Sequence, residues 1–265
     1  QTLWGFWWWN DSLFSRGVAP TFSDALRWPH GVPMWFQTWV LPSALLTQPL
    51  WGLLPEVTIY NVAIFSSYPL AGFTFYLLAY ELWGNRLAAF LAGLLYTITN
   101  FHFGHALGHL HIVTMEWNPL FFLCLVRTMR RPAWRWPILG GGALALAATA
   151  SFYHLMFCFV GTVVLLIAWL RSDRAALVSF PFWKRAGALR GTFFALTGWL
   201  YLGMLRAHLG EPYGGEHDAV WFSADLQSFF IPNAASMWSG FFGAWRRWTG
   251  NNAESTAYIG YVALG

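Results

Sequence analysis

The chain has 265 residues, of which 57% are hydrophobic and 20% aromatic while only 10% are charged. Soluble domains carry about 25% charged residues, so this composition excludes an ordinary water-soluble domain and points to an all-α, polytopic helical membrane protein. The net charge of +4 is not a nucleic-acid signature, because the basic residues sit in short loops between apolar runs, where the positive-inside rule acts.

Residues 1–56 are aromatic and broken by Pro20, Pro29, Pro33, Pro42, Pro49 and Pro55. No uninterrupted run there reaches the ~20 residues a span needs. They are expected to form a first outer loop with short interfacial helices near Thr2–Ser15 and Pro42–Leu54, the first anchored at the headgroups by Trp4, Trp7, Trp8 and Trp9. Spans are then expected at Val57–Leu82, at Leu87–Thr99 continuing to about Phe103, and at Leu110–Val126 with a kink at Pro119. The stretch Trp136–Leu170 would be about 52 Å long as one helix, against a hydrocarbon core of about 30 Å. It therefore reads as two spans with a turn near Ser151–His154. Ala188–Leu205 is the next span, 207–256 a second polar and aromatic outer loop, and Ala257 the start of a further span. The expectation is thus one transmembrane domain over 1–265, with a six-span bundle in 57–206 and about six to seven spans in all. Gln1 and the apolar end at Tyr258–Gly265 read as the ends of a fragment, with a helix missing at each. Cys124 and Cys158 lie inside apolar runs and read as small core residues. The run Gly140-Gly141-Gly142 lies inside a span and reads as close helix packing.

Lys and Arg set the orientation. Arg86, then Arg127, Arg130, Arg131 and Arg135, then Arg171, Arg174, Lys184, Arg185 and Arg190 fall in loops on one side, taken as cytoplasmic. The other side holds Arg16, Arg27, Arg206, Arg246 and Arg247. With that orientation all eight histidines lie outside. So do most carboxylates; Glu81 and Asp173 stay near the cytoplasmic side.

The chemistry concentrates in Asn100–Glu116, NFHFGHALGHLHIVTME, where His102, His105, His109 and His111 precede Glu116 at the tip of a hairpin. Polar groups there cannot face lipid and belong at a membrane surface or in a wet cavity. His105 and His109 are four apart and share a face if helical; that spacing suits a divalent metal, a phosphate or simple hydrogen bonding. Glu116 is an ionisable residue inside an apolar run, which marks either a functional site or a structural pair with a histidine. His154 stands at the tip of the second hairpin. Asp24 and Asp225 each lie beside aromatic residues in an outer loop, and each reads either as a general base for a hydroxyl or as a helix N-cap. There is no phosphate-binding glycine loop and no nucleophile triad.

The stretch Asp24-Ala-Leu-Arg-Trp-Pro-His-Gly-Val-Pro-Met-Trp resembles the first outer loop, D…P-x-G-x-x-L, of a group of bacterial multi-spanning proteins. The runs Pro69–Ala79, Ala106–His111, Ser151–Tyr153, Ser223–Pro232 and Tyr258–Tyr261 follow in similar order and spacing over nearly the whole chain. These proteins resemble the GT-C class of membrane glycosyltransferases, which includes protein O-mannosyltransferase-like and aminoarabinose transferase-like enzymes. The resemblance implies an enzyme of the bacterial plasma membrane that moves a sugar from a polyprenyl-phosphate carrier to an acceptor at the outer face. In that reading Asp24 or Asp225 deprotonates the acceptor, unless the acidic residue precedes Gln1. Arg27, His30, His105, His109, His111, Glu116 and His154 bind substrate, with a lipid phosphate as leaving group. His111 stands where relatives have Asn. The rival readings are a transporter, a haem or metal redox protein using His105, His109 and His154, and a membrane scaffold without catalysis.

Overall fold

The computed structural model describes residues 2–172, 175, 177, 179–210, 226–232 and 239–242. The chain begins with α1 (Thr2–Asn10), which widens into one π-helical turn over Asp11–Ser15. Two short antiparallel strands follow, β1 (Phe22–Ser23) and β2 (Val32–Pro33), with Phe22 opposite Pro33 and Ser23 opposite Val32. Next come α2 (Leu41–Thr47) and a 3-10 turn over Gln48–Leu50.

Helices of varied length follow: α3 (Glu56–Trp83), α4 (Arg86–Thr97), α5 (Asn100–Ala106), α6 (Leu110–Val113), α7 (Trp117–Arg130), α8 (Arg135–Ala150), α9 (Phe152–Ser172) and α10 (Phe180–Gly210), and then a 3-10 turn over Leu226–Phe229 and a short helix Ser239–Phe242. The architecture is mostly helical, and α3 and α9 are long and apolar enough to cross a membrane. The pair α4 and α5, bent by 40°, adds a third if it counts as one span. Only 11% of the apolar window of α9 is buried inside the protein. A surface of Phe159, Val163, Val164 and Ile167 left open in this way is unlike that of a water-soluble monomer.

Local chemistry explains the breaks. Gly84, at φ 70°, closes the end of α3 in the left-handed conformation that favours glycine, and its N–H donates to the Tyr80 carbonyl. Asn85 caps α4 by accepting from the Ala88 N–H at 3.0 Å. The expected continuous run from Leu87 to about Phe103 is interrupted at Ile98–Thr99. There the Thr99 hydroxyl accepts from the His102 N–H at 3.2 Å and starts a new helix. The expected run Leu110–Val126 is likewise divided at Thr114–Glu116. Pro119 therefore sits in the first turn of α7, where a missing N–H costs nothing, and not at a kink. The long apolar run 136–170 does break, at Ser151, whose hydroxyl accepts from the Tyr153 N–H at 3.3 Å.

The two largest buried clusters join most of the helices. One joins Phe6 and Trp9 of α1, Trp39 and Val40 of the following loop, Ile59 and Tyr60 of α3, Leu110 and Val113 of α6, and Leu200 of α10. The other joins Phe121 and Leu125 of α7, Ala143 and Ala147 of α8, Cys158 of α9 and Leu189 of α10. Trp8 and Trp9 are thus buried in protein, a correction to their expected place as headgroup anchors. The helices meet closely where glycine permits. A Cβ on Gly141 would fall on the Leu189 carbonyl oxygen and within 2.7 Å of Thr192 Cβ, as the glycine run led one to expect.

The opposite end of the bundle is basic. Glu81, at the end of α3, accepts from Arg127 Nε at 2.7 Å and from Arg131 Nη2 at 2.8 Å. Arg130 donates to the Glu81 carbonyl and Arg185 to the Arg131 carbonyl.

Candidate functional site

The division of the Asn100–Glu116 segment into α5, α6 and the start of α7 turns its histidines in two directions. His102 faces the helix pair. Its ring stacks on Tyr68 with centroids 3.9 Å apart, its Nδ1 donates to the Thr97 carbonyl at 2.9 Å, and its Nε2 lies 3.3 Å from Ser67 Oγ. This histidine is structural.

The other three form a file. The His105 and His109 ring centroids are 5.3 Å apart and edge-on, and those of His109 and His111 are 5.7 Å apart. Because α5 ends at Ala106, His105 and His109 do not share a helix face; the turn at Leu107–Gly108 brings them together. His154 lies across from them at the start of α9. It is fully buried, with its Nδ1 3.1 Å from Asn118 Nδ2, so that the amide donates and Nδ1 accepts. Asn118 Oδ1 lies 3.5 Å from the Cys158 thiol, which donates to it. Glu116 is 4% exposed.

Several of these groups are left without hydrogen-bond partners: Nδ1 of His105, His109 and His111, Nε2 of His154, Oγ1 of Thr114 and Oε2 of Glu116. Native proteins pair more than about 90% of buried polar groups. Six such atoms within one short segment and its immediate neighbour therefore mark a place built for a polar ligand or for water.

A cavity of about 220 Å³ opens onto this file. Its walls are Trp4, Trp8 and Trp9 of α1, Gln37 and Trp39 of the loop before α2, and Gly108, His109 and His111 of the tip. Trp4 and Trp8 stack with centroids 5.6 Å apart. Trp8 Nε1 donates to the Pro20 carbonyl and Trp39 Nε1 to the Trp35 carbonyl, which fixes both rings. Trp39 is held by Val40, whose φ of 43° is a left-handed conformation costly for a β-branched residue. The cavity thus offers flat apolar faces on one side and imidazoles on the other. A second hollow of about 330 Å³ is lined by Phe75, Tyr96, Phe101, Phe122 and Phe157 together with Asn118 and His154.

The remaining sequence-selected residues fall elsewhere. Asp24 is on the β1–β2 hairpin, 61% exposed, and accepts from Arg16 Nη1 at 3.0 Å; Arg16 also pairs with Asp11 at 2.8 Å. The hydrogen bond to Asp24, with its charge and that of Asp11, holds the Arg16 guanidinium above its ordinary range. Arg27 and His30 are exposed on the same hairpin. None of these three lines the tryptophan cavity. Asp225 lies outside the described residues. Among the described residues, no group of three or more His, Cys, Asp or Glu side chains is placed to hold a metal ion. The spacing of His105 and His109 does not become a metal site there.

A family model described as a domain of unknown function (DUF6311) matches residues 6–264. The chain belongs to this family. No curated protein matches the chain, and no solved structure does. Membership in DUF6311 brings no activity with it, so function rests on the chemistry of the site.

Sequence reasoning missed the cavity walls. Trp8 and Trp9 read as interfacial aromatics, and Trp39 went unmarked, because composition alone cannot distinguish an indole facing headgroups from one facing protein. Asn118 also went unmarked; the one signal available was a lone amide beside Pro119 in an apolar run.

Proposed function

We propose that the protein is a membrane glycosyltransferase that moves a sugar from a polyprenyl-phosphate donor to an acceptor at the outer face of a bacterial plasma membrane. The observation that carries this reading is the cavity itself: indole faces meet His109 and His111, whose Nδ1 atoms are unpartnered. Pyranose rings present an apolar face that lies against indoles, and their hydroxyls and a phosphate take hydrogen bonds from imidazoles. In the reaction the acceptor oxygen attacks the anomeric carbon, the bond from that carbon to the phosphate oxygen breaks, and its electron pair leaves with the polyprenyl phosphate. The acceptor proton passes to a carboxylate, for which Asp225 and Asp24 are the candidates. His109 and His111 stabilise charge on the departing phosphate.

On this proposal the chain forms six to seven spans with the first loop region and 207–256 outside, which would set the cavity at the outer face. The same arrangement would set Glu81, Arg127, Arg131 and Arg185 at the cytoplasmic face.

The test is transfer of a radiolabelled sugar from defined polyprenyl-phosphate sugars by the protein in nanodiscs. Gly108 lines the cavity and a Cβ there meets no atom within 4 Å, so Gly108→Leu adds side-chain volume at the cavity wall. Transfer by the wild type that Gly108→Leu abolishes is expected. Absence of transfer and of binding across a panel of donors refutes the proposal.

One rival is favoured by a specific observation. His109, His111, Glu116 and His154 each carry a buried polar atom without a partner, as the lining of a polar conduit would. Proton or sugar flux through proteoliposomes, lost in His154→Ala, would establish a transporter instead.

A further inference from the structure

An apolar groove runs between α9 and α10 over α7 and α8, from Leu155 beside His154 toward the basic end, with a volume of about 370 Å³. Leu144, Phe159, Val163, Leu166 and Phe182 line it, and the one charged side chain on its walls is Arg190. From Leu155 to Leu166 its α9 wall is about 16 Å long at 1.5 Å per residue. Arg185 donates to the Arg131 carbonyl, and Arg131 pairs with Glu81, so these residues mark the level of the basic end. Arg190 stands five residues further along α10, about 7.5 Å deeper. It is exposed, and its guanidinium rises to within 5.6 Å of the Trp183 ring, back toward that level, as a snorkelling arginine does.

The charges near the groove's mouth are unbalanced. Among the described residues no carboxylate forms an ion pair with Arg190, Lys184 or Arg135, and Glu81 is committed to Arg127 and Arg131. Lys184 and Arg135 instead lie over the rings of Phe180 and Trp136. An ionisable residue at membrane depth marks a function by default, and here it is a cation at the mouth of an acyl-sized slot.

We propose that this groove binds one anionic glycerophospholipid, with an acyl chain laid along α9 and the headgroup phosphate on Arg190. Thr128, Thr162 and Cys158 on its walls donate to acceptors within the protein, and the remaining wall surface suits a hydrocarbon chain. Arg190 presents the forked donors that suit a phosphate, and Lys184 adds a second positive charge. The site is separate from the tryptophan cavity and does not depend on the transferase reading.

The test uses the whole protein in nanodiscs of phosphatidylcholine containing phosphatidylglycerol, released into the gas phase for native mass spectrometry. One retained phosphatidylglycerol per protein is expected, at least tenfold enriched over phosphatidylcholine. Arg190→Gln should lower that retention at least tenfold. Val163→Trp, which fills the groove while leaving Arg190 in place, should lower it equally. Arg86→Gln, a cation outside the groove, should retain the lipid as the wild type does. Equal retention of the two lipids, or retention unchanged in Arg190→Gln or Val163→Trp, overturns the proposal. So does an Arg190-dependent preference for polyprenyl phosphate over phosphatidylglycerol. Circular dichroism and monodispersity of each variant separate loss of lipid from loss of fold.

Discussion

Glu81→Ala is expected to loosen the contact between α3 and α7 at the basic end. The Glu81 side chain is 8% exposed and that of its nearer partner, Arg127, 22%. Removing one member of a fully buried pair costs about 3–5 kcal/mol, because the other charge is left without compensation. Two features reduce the figure here. Arg131, the second partner, is 48% exposed, and a contact that water reaches contributes only about 0–1 kcal/mol. Arg127 also keeps a face against Trp136, with 4.4 Å from its guanidinium carbon to the ring centroid. The expected loss is therefore about 2–3 kcal/mol, below the buried-pair range. Equilibrium unfolding in mixed detergent micelles, followed by tryptophan fluorescence, measures it. The double variant Glu81→Ala with Arg127→Ala should be less destabilised than the sum of the two single changes, since it removes the stranded charge. A loss under about 0.5 kcal/mol, or strict additivity in the cycle, would refute the view that this pair closes the bundle.

Further outcomes follow from other parts of the molecule. Gly141→Val places atoms on the Leu189 carbonyl and Thr192 of α10 and should cost at least the 1–3 kcal/mol typical of overpacking, whereas Gly142→Val, with nothing within 4 Å, should cost far less by the same assay. Asn118→Leu removes the amide that donates to His154 and should destabilise the protein by about 1–3 kcal/mol; unchanged stability would show that His154 finds another partner. Single cysteines at Arg130 and Lys184 should resist a membrane-impermeant reagent in intact cells while cysteines at His30 and Asp225 react, and the opposite pattern would invert the topology. In the transfer assay Asp225→Asn should lower turnover by about 10²–10⁴, the usual contribution of a general base. Asp24→Asn should change turnover less, because Asp24 pairs with Arg16 away from the cavity walls. Equal and near-normal turnover in both variants would remove the base role from each.

Much of the helical layout was legible in the chain. Pro55, Gly84 and Asn85 bracket α3 and α4, and the length of 136–170 required a break that Ser151 supplies. Hydropathy could not show the interruptions at Thr99 and Thr114–Glu116, because they depend on single hydroxyl and backbone contacts inside otherwise apolar runs. Of the site, the histidine cluster was visible as an anomaly of composition, but its division was not. His102 belongs to Tyr68 and Thr97, while His105, His109 and His111 form the file.

The sequence by itself determined a helical chain poor in charge, with long apolar runs and four of its eight histidines gathered between His102 and His111. These are properties of residue type and spacing, and they act within one segment at a time. Only the tertiary structure decided which groups meet. Trp8 and Trp9 turned inward because Phe6 and Trp9 pack with Trp39, Ile59 and Leu200 from three distant segments. Asp24 went to Arg16 because the β1–β2 hairpin places them 3.0 Å apart. His154 came to Asn118 across 36 residues because Ser151 ends one helix and starts the next at that depth. Contacts of that kind depend on how helices dock, and docking is fixed by the summed packing of surfaces that no single stretch of sequence contains.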